Sequence, residues 1–255
     1  MELVEYSVDG AVAVITLNRP PMNALNPELI SRIDTAVGRA EDPAVRAVVI
    51  TGSPHFAAGA DIKGFQESFD SETKDRQASG LSEAVLRLAN LEKPTIAAVS
   101  GFALGGGLEL AMGADFRYLA EGAKVGQPEV LLGIIPGAGG TQRLARLVGP
   151  QKCKEICITG RHVKADEALA LGIADKVFPD DELLARSMEA AAFFAAGPTQ
   201  AYAAIKRAVG QGFDVTLEQG LVVEAEEFAK VFVSADARIG VAAFLAKEKP
   251  EFTGS

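Results

Sequence analysis

Histidine, cysteine and tryptophan are scarce in this sequence of 255 residues, which has two histidines, two cysteines and no tryptophan. Cys153 and Cys157 lie in a helical pattern, with no second cysteine pair or histidine beside them to complete a zinc site. His55 and His162 are far apart in the sequence, and we expect the first in a turn and the second on the surface. The sequence therefore predicts reduced structural cysteines and no metal site.

Basic residues and long apolar runs are also in short supply. Lys and Arg total 25 against 34 Asp and Glu, and the net charge of −9 repels the phosphate backbone of nucleic acids. The longest apolar runs, such as residues 11–15, are far shorter than the roughly 18 residues of a membrane span. The acidic N-terminus lacks the basic region of a signal peptide. We predict a cytoplasmic protein that binds neither nucleic acid nor membrane.

Three common catalytic or nucleotide-binding motifs are missing. There is no Gly-x-Ser-x-Gly elbow, and two histidines give a Ser-His-Asp triad little to build on. A dinucleotide fingerprint would need a third glycine where the sequence has Leu110 or Gln142, and no Gly-Lys-Ser or Gly-Lys-Thr forms a Walker A loop. Triad-based hydrolysis and dinucleotide binding are therefore disfavoured, and a Walker A site is excluded.

The first two-thirds of the chain alternates strand and helix patterns. Residues 11–17, 44–51 and 95–100 form short apolar runs that predict buried strands. Asn26 suits an N-cap and Pro27 the first helical position, which predicts an amphipathic helix as far as about residue 43. We expect a strand, a tight glycine turn and a helix again over residues 116–125.

Two other stretches concern the surface. Residues 64–80 are polar and lack an apolar stripe, which predicts an unpacked excursion bordering a site, followed by a helix that begins near Leu81. The helices after residue 197 carry apolar stripes, and no further strand follows for them to cover. Such helices pack on their own domain or on another subunit, and we favour packing on another subunit. This predicts an α/β core over residues 1–196, with the active site, and a helical oligomerisation region over residues 197–255.

A glycine triplet and two glutamates carry the candidate chemistry. Residues 105–107 let the backbone approach a ligand closely and leave unpaired amides at a helix start. Glu109 follows in the first turn of an otherwise apolar helix, and Glu129 follows Pro128. Each glutamate alone also suits a structural role at a helix start. Together they could divide acid and base work.

An enolate forming beside these carboxylates would need a second backbone donor. Residues 56–61, Phe-Ala-Ala-Gly-Ala-Asp, follow a buried strand and have small side chains that leave the backbone open. Each oxyanion donor is worth roughly 3 kcal/mol of transition-state stabilisation. The loop is therefore a candidate partner for the glycine triplet.

With these residues, the sequence resembles the enoyl-CoA hydratases of the crotonase superfamily over essentially its full length. The shared motifs are Leu17-Asn-Arg-Pro20, Asn23-Ala-Leu25, Phe56-Ala-Ala-Gly-Ala-Asp-Ile-Lys63, Pro94-Thr-Ile-Ala-Ala-Val-Ser-Gly101, Ala103-Leu-Gly-Gly-Gly-Leu-Glu109, Gly126-Gln-Pro-Glu129 and Pro136-Gly-Ala-Gly-Gly-Thr-Gln-Arg143. The resemblance implies an α/β fold, a crotonase-like spiral of repeated ββα units followed by a C-terminal α-helical trimerisation region. Trimers of such proteins commonly pair into hexamers.

The resemblance also implies roles for individual residues. Backbone amides of Ala60 and Gly106 would polarise the thioester carbonyl. Glu129 would exchange a proton with the α-carbon, and Glu109 would activate the water that attacks the β-carbon, giving a 3-hydroxyacyl-CoA as in fatty-acid β-oxidation. The other expected substrate-binding residues are Ala58, Asp61, Ile62, Lys63, Pro136 and Gly137. No cofactor is expected, because coenzyme A is part of the substrate.

Other functions remain open at this point. Family members that only isomerise the double bond typically need the counterpart of Glu129 and lack that of Glu109, so the presence of both favours hydration. The nearer alternative is an isomerase, or a hydratase for a specialised acyl-CoA from aromatic or branched-chain catabolism. The farther one is a non-catalytic acyl-CoA- or RNA-binding relative; the acidic charge argues against RNA, and the glutamate pair against loss of catalysis.

Overall fold

The structure, a computed structural model, describes residues 2–62 and 76–255. Its main sheet has six strands: β1 (Val4–Asp9), β2 (Val12–Leu17), β3 (Ala47–Gly52), β4 (Thr95–Val99), β6 (Phe116–Ala120) and β9 (Lys176–Phe178), in that spatial order. The β1–β2 pair is antiparallel and the other neighbours are parallel. Strands β3 and β4 are buried along their whole length, as expected of central parallel strands covered on both faces.

A second sheet has three short strands, in the order β5 (Phe102–Leu104), β7 (Lys124–Gly126) and β8 (Val163–Lys164). It begins where β4 ends, and the bridge between Ala57 and Ala103 joins it to the segment after β3. The chain therefore passes from the main sheet to the second sheet after β3, after β4 and again after β6. The first two of these crossings bring residues 57–61 and residues 104–109 together.

Helices surround the sheets. In chain order they are α1 (Pro27–Arg39), α2 (Arg76–Asn90), α3 (Gly106–Ala111), α4 (Gly140–Val148), α5 (Pro150–Thr159), α6 (Ala165–Leu171), α7 (Leu183–Ala195), α8 (Thr199–Gly212), α9 (Leu217–Phe232) and α10 (Ala235–Ala246); a 3₁₀ helix spans Pro128–Leu132. Helix α7 packs on β3 and β4, and α1 packs on α2. The predicted N-cap of α1 is confirmed, because the Asn26 side chain accepts a hydrogen bond from the Leu29 amide at 2.9 Å.

Some expectations from the sequence are wrong. Residues 116–125 contain no helix: β6 turns at Gly122 into β7, and the Lys124 amide donates to the carbonyl of Gly101 at 2.7 Å. The polar excursion expected as far as Gly80 ends earlier, because α2 already begins at Arg76; residues 63–75, with Lys63, lie outside the described part of the chain. Strands β8 and β9 have no counterpart in the prediction.

The cysteines and histidines lie close to where the sequence placed them. Cys153 and Cys157 are free thiols with their sulfurs 4.0 Å apart on α5. His162 is exposed, and His55 stacks on the Phe102 ring with the centroids 4.7 Å apart. Across residues 2–62 and 76–255, no three His, Cys, Asp or Glu side chains are grouped closely enough to hold a metal ion, and no helix is long and apolar enough to cross a membrane.

Candidate active site

The first backbone donor of the site is the amide of Ala60. Leu25 pairs with this segment as a one-residue parallel bridge, in which the Leu25 amide donates to Gly59 O at 2.8 Å and the Asp61 amide donates to Leu25 O at 2.9 Å. Successive amides of an extended segment point in opposite directions. Since the Asp61 amide points towards Leu25, the Ala60 amide points the other way, into the cavity that Ala60 lines. It donates to no backbone or side-chain group among the described residues.

The second donor is the amide of Gly106 at the start of α3. Gly105 has φ +52°, a conformation that favours glycine, and its own amide donates to Gly126 O at 2.9 Å. The first bond within the helix runs from the Glu109 amide to Gly105 O at 3.0 Å, so the Gly106 amide precedes the helical ladder. A methyl group on Gly106 would lie 3.9 Å from the Ala60 nitrogen, which places both donors on one wall of the cavity.

Gly107 makes this approach of α3 to residues 57–60 possible. A Cβ atom there would overlap the carbonyl oxygen of Ala57. This oxygen belongs to the backbone, so it cannot move aside as the end of a flexible side chain could. The Ala57 carbonyl also accepts from the Leu104 amide at 3.1 Å, which ties the two segments together just before the triplet. The glycine triplet predicted as a close-approach motif therefore has a distinct steric reason at its third position.

Glu109 is a buried carboxylate at the N-terminus of another helix. Its Oε1 accepts from the amides of Ala138 and Gly140, each at 2.7 Å, and Gly140 is the first residue of α4. Burial raises the pKa of Glu109, while the Gly140 and Ala138 amides and the charge of Arg143 lower it. Within the described part of the chain, no group donates to Oε2. One carboxylate oxygen is thus fixed, and the other is available for a water molecule.

Glu129 lies across the glycine turn from Glu109, in the 3₁₀ helix. A methyl group on Gly105 would lie 2.7 Å from Oε1 of Glu129, so the carboxylate rests against the Gly105 α-carbon. Gln127 is fully buried, and its side-chain nitrogen donates to Oε1 and Oε2 of Glu129 at 3.0 and 3.1 Å. Burial raises the pKa of Glu129 to about 7; its own backbone amide opposes this shift and the neighbouring charge of Glu109 adds to it. This carboxyl group therefore exchanges a proton near neutral pH.

The donors and the carboxylates line one cavity of about 320 Å³. Its other described lining is mainly apolar, from residues Leu25, Ile30, Ala58, Gly59, Ile62, Leu81, Leu104, Gly105, Pro128, Leu131, Leu132, Ile134, Ile135, Gly137 and Ala138. Two carboxyl groups and two free amides therefore converge in an otherwise apolar space. Such an arrangement suits a substrate with one polarisable carbonyl and a hydrocarbon chain.

The structure brings most of the predicted site residues together. Glu109, Glu129, Ala60 and Gly106 line the cavity, together with Ala58, Ile62 and Gly137. Asp61 and Pro136 are not part of that lining: the Asp61 carboxylate forms an ion pair with Arg19 Nη2 at 2.6 Å, and Pro136 is buried. Lys63 is outside the described residues.

Other contributors were not foreseen from the sequence. They are the amides of Ala138 and Gly140 on Glu109, the Gln127 amide beside Glu129, and the apolar wall of Leu25, Ile30 and Leu81. Gln127, Gly140 and Leu25 stand in motifs that carry the family resemblance, and an amide side chain two residues before a glutamate was the available signal for Gln127. Ile30 and Leu81 carry no such signal, because apolar positions of a helix look alike whether they face a core or a cavity.

Comparison with known proteins agrees with this geometry. Residues 7–255 match the enoyl-CoA hydratase/isomerase family model. The chain belongs to the enoyl-CoA hydratase/isomerase family. A probable enoyl-CoA hydratase of Rhizobium meliloti is 44% identical over 98% of both chains, and a crotonyl-CoA hydratase of Syntrophomonas wolfei is 44% identical over 94% of both. An enoyl-CoA hydratase of Bacillus anthracis, known from a crystal structure, is 34% identical with a TM-score of 0.94 over the full length of both chains.

These similarities confirm the predicted fold class for this enoyl-CoA hydratase/isomerase family member. The mixed α/β core and the C-terminal helices match crotonase-like structures across the whole chain. The division into a core over residues 1–196 and an oligomerisation region over residues 197–255 stays a prediction. The predicted boundary lies between α7 and α8, and among the described elements only helices follow it.

Proposed function

We propose that the protein is an enoyl-CoA hydratase, a hydro-lyase that adds water across the 2,3 double bond of a 2-enoyl-CoA to give a 3-hydroxyacyl-CoA. The observation that carries this proposal is the pair of carboxylates, Glu109 and Glu129, in one cavity with two free backbone amides. The family membership and the relatives named as hydratases support the same reaction. Fatty-acid β-oxidation is the pathway type in which such a step occurs.

In the proposed reaction, the thioester oxygen accepts hydrogen bonds from the amides of Ala60 and Gly106. As the C2–C3 double bond is attacked, negative charge moves onto that oxygen, and each preorganised donor contributes roughly 3 kcal/mol to its stabilisation. Ala58, Ile62 and Gly137, which line the cavity, are proposed to bind the acyl and coenzyme A parts of the substrate, and a binding role of Asp61, Lys63 and Pro136 stays a prediction. No cofactor takes part in this proposal, since coenzyme A belongs to the substrate.

The two glutamates divide the proton transfers. Water bound to Oε2 of Glu109 gives a proton to that carboxylate while its oxygen forms the bond to C3. The enolate electrons then return to C2, which takes the proton from Glu129. The pair therefore begins with its one proton on Glu129 and ends with it on Glu109, and the raised pKa of about 7 for Glu129 suits the acid role near neutral pH.

We also propose that the protein is a homo-oligomer, a trimer or a dimer of trimers. Large apolar side chains are widely exposed on the C-terminal helices, including Phe213, Leu217, Phe228, Phe244 and Leu245, each at 65% or more. An apolar surface of this extent is typical of a protein–protein interface. A cytoplasmic location stays a prediction.

The loss of absorbance of crotonyl-CoA and of longer 2-enoyl-CoAs, measured with the purified protein, tests the hydratase function. Glu109→Gln and Glu129→Gln should each lower kcat by orders of magnitude with an unchanged circular dichroism spectrum, because each amide keeps the side-chain shape and loses the proton transfer. No turnover with any chain length would refute the proposal, and near-normal hydration by either variant would refute the role assigned to that glutamate.

A further inference from the structure

We infer that Leu81, packed with Leu25 and Ile30, closes the acyl end of the cavity and restricts the protein to short 2-enoyl thioesters. This inference rests on the hydratase function proposed above and specifies its substrate class. It is drawn from the positions of these three side chains relative to the Gly106 donor and from how deeply they are buried.

Leu81 and Leu25 lie directly beside the Gly106 donor. A methyl group on Gly106 would lie 2.8 Å from Cδ2 of Leu81 and 3.3 Å from Cδ1 of Leu25, so both side chains are already close to the Gly106 α-carbon. The thioester oxygen binds at the amide of the same residue. An acyl chain that starts at this carbonyl and runs towards Leu81 therefore meets the Leu81 side chain.

The wall behind that position is buried and packed. Leu25 is 1% exposed, Leu81 5% and Ile30 7%, although all three line the cavity. Ile30 belongs to α1 and Leu81 to α2, two helices that pack on each other, and a methyl group on Gly80 would be in ordinary contact with Ile30 Cγ2 at 3.8 Å. Leu25 is fixed further by its backbone bridge to Ala60. Close-packed side chains of this kind yield little to an extra methylene.

Another part of the cavity lining is exposed to solvent. Its apolar side chains Ile62, Leu131, Leu132, Ile134 and Ile135 are between 38% and 75% exposed. This open side is the mouth, where the large coenzyme A moiety can remain in contact with solvent, and the buried wall of Leu25, Ile30 and Leu81 is the closed end. Glu109 and Glu129 line the cavity that these two sides bound. The direction of the acyl chain, from the mouth towards Leu81, follows from this asymmetry.

The experiment compares the hydration kcat/KM of crotonyl-CoA, 2-hexenoyl-CoA and 2-decenoyl-CoA for the wild type, Leu81→Ala and Leu88→Ala. Adding or removing one methylene group in a hydrophobic pocket changes kcat/KM by about 10- to 200-fold. We expect the wild-type kcat/KM to fall at least about tenfold from crotonyl- to decenoyl-CoA. In Leu81→Ala, the ratio for decenoyl- over crotonyl-CoA should rise by about tenfold or more.

Leu88→Ala is the matched control. It makes the same truncation on the same helix, at a fully buried side chain that does not line the cavity, so it should leave the chain-length ratio at the wild-type value. If Leu81→Ala folds poorly, Leu81→Phe provides the converse test and should lower the kcat/KM of hexenoyl-CoA more than that of crotonyl-CoA.

The outcomes separate this inference from the function on which it rests. A wild type that hydrates decenoyl-CoA as efficiently as crotonyl-CoA, or a folded Leu81 variant with the wild-type ratio, would overturn the role of Leu81 and leave the hydratase function intact. Absence of hydration at every chain length would instead contradict the hydratase function and this inference with it.

Discussion

The α-carbon of Gly105 lies so close to Glu129 that an added methyl group would come within 2.7 Å of the carboxylate oxygen Oε1. The turn that presents the Gly106 amide is therefore also the surface against which the proposed proton donor rests. A change at Gly105 should alter the position of the acid and the direction of the oxyanion donor at the same time.

Gly105→Ala should accordingly abolish most of the hydratase activity. The new methyl group displaces Glu129, and a non-glycine residue at φ +52° and ψ −125° adds backbone strain of about 1 to 3 kcal/mol. We expect kcat/KM to fall by at least about a hundredfold, because a reacting group misplaced by about 1 Å loses that much. Steady-state kinetics and thermal unfolding measure the two effects.

Gly10→Ala serves as the control for backbone strain. Gly10 also has a positive φ, of +58°, and a Cβ atom there meets no atom within 4 Å. Similar losses of stability with normal activity in Gly10→Ala would assign the loss in Gly105→Ala to Glu129 and the donor. Normal activity of a folded Gly105→Ala would contradict the placement of the acid.

The pH profile of kcat/KM should be bell-shaped, with an alkaline limb near pH 7. Because the pKa of Glu129 is raised to about 7, Glu129 is protonated below that pH and loses its proton above it, so hydration should fall about tenfold per pH unit on the alkaline side. Protonation of Glu109, whose pKa is also raised, sets the acid limb.

Dehydration of the 3-hydroxyacyl-CoA should show the same two limbs. Hydration starts from the pair with its proton on Glu129 and dehydration from the pair with its proton on Glu109, and both forms carry one proton. Measuring kcat in both directions across pH 5 to 9 tests this requirement, because the ratio of the two kcat/KM values equals an equilibrium constant that does not change with pH. A limb that appears in one direction only would rule out the shared proton.

Asp175→Asn should destabilise the fold without affecting catalysis. Arg117 is a buried cation whose Nη2 contacts Asp175 at 3.0 Å, and its Nε and Nη1 donate to the carbonyls of Ile173 and Ala114. Removing the carboxylate charge leaves the guanidinium without its ion-pair partner, and only the more distant charge of Asp115 remains, at a cost of about 2 to 3 kcal/mol. Urea unfolding measures the loss, and kcat should stay unchanged.

The exposed ion pair between Arg186 and Glu182 provides the comparison. Glu182→Gln should cost less than about 1 kcal/mol, because both side chains are about half exposed and water screens the attraction. Equal losses in Asp175→Asn and Glu182→Gln would contradict the importance given to burial of Arg117.

Phe244→Asp should reduce the size of the assembly. The Phe244 side chain is 83% exposed on α10, and a charge in its place would have to be desolvated in any interface that covers it. Light scattering after size-exclusion chromatography measures the mass. Val8→Asp, at a 48%-exposed site on β1, is the control that should leave the mass unchanged, and an unchanged mass for Phe244→Asp would contradict the proposed use of this surface.

The sequence predicted the parts of this protein that depend on local chemistry. Asn26 caps α1 as expected, and Glu109 lies in the first turn after the glycine triplet, since caps and close-approach glycines have signatures within a few residues. Strand β7 was missed for the opposite reason: its three residues become a strand by pairing with β5, more than twenty positions earlier in the chain, and with β8, almost forty positions later. Ile30 and Leu81 likewise meet in the wall through the packing of α1 on α2, which no local pattern encodes.

The backbone pairing of Leu25 with Ala60 affects which substitutions the active site can accept. The two proposed donors are main-chain groups, oriented by a strand bridge and a helix start, so replacing a side chain leaves them in place as long as the backbone keeps its path. The electrophilic half of the site is in this sense independent of side-chain identity. New reactions on thioesters could therefore be engineered by exchanging Glu109, Glu129 or the apolar wall, with the carbonyl-polarising device retained.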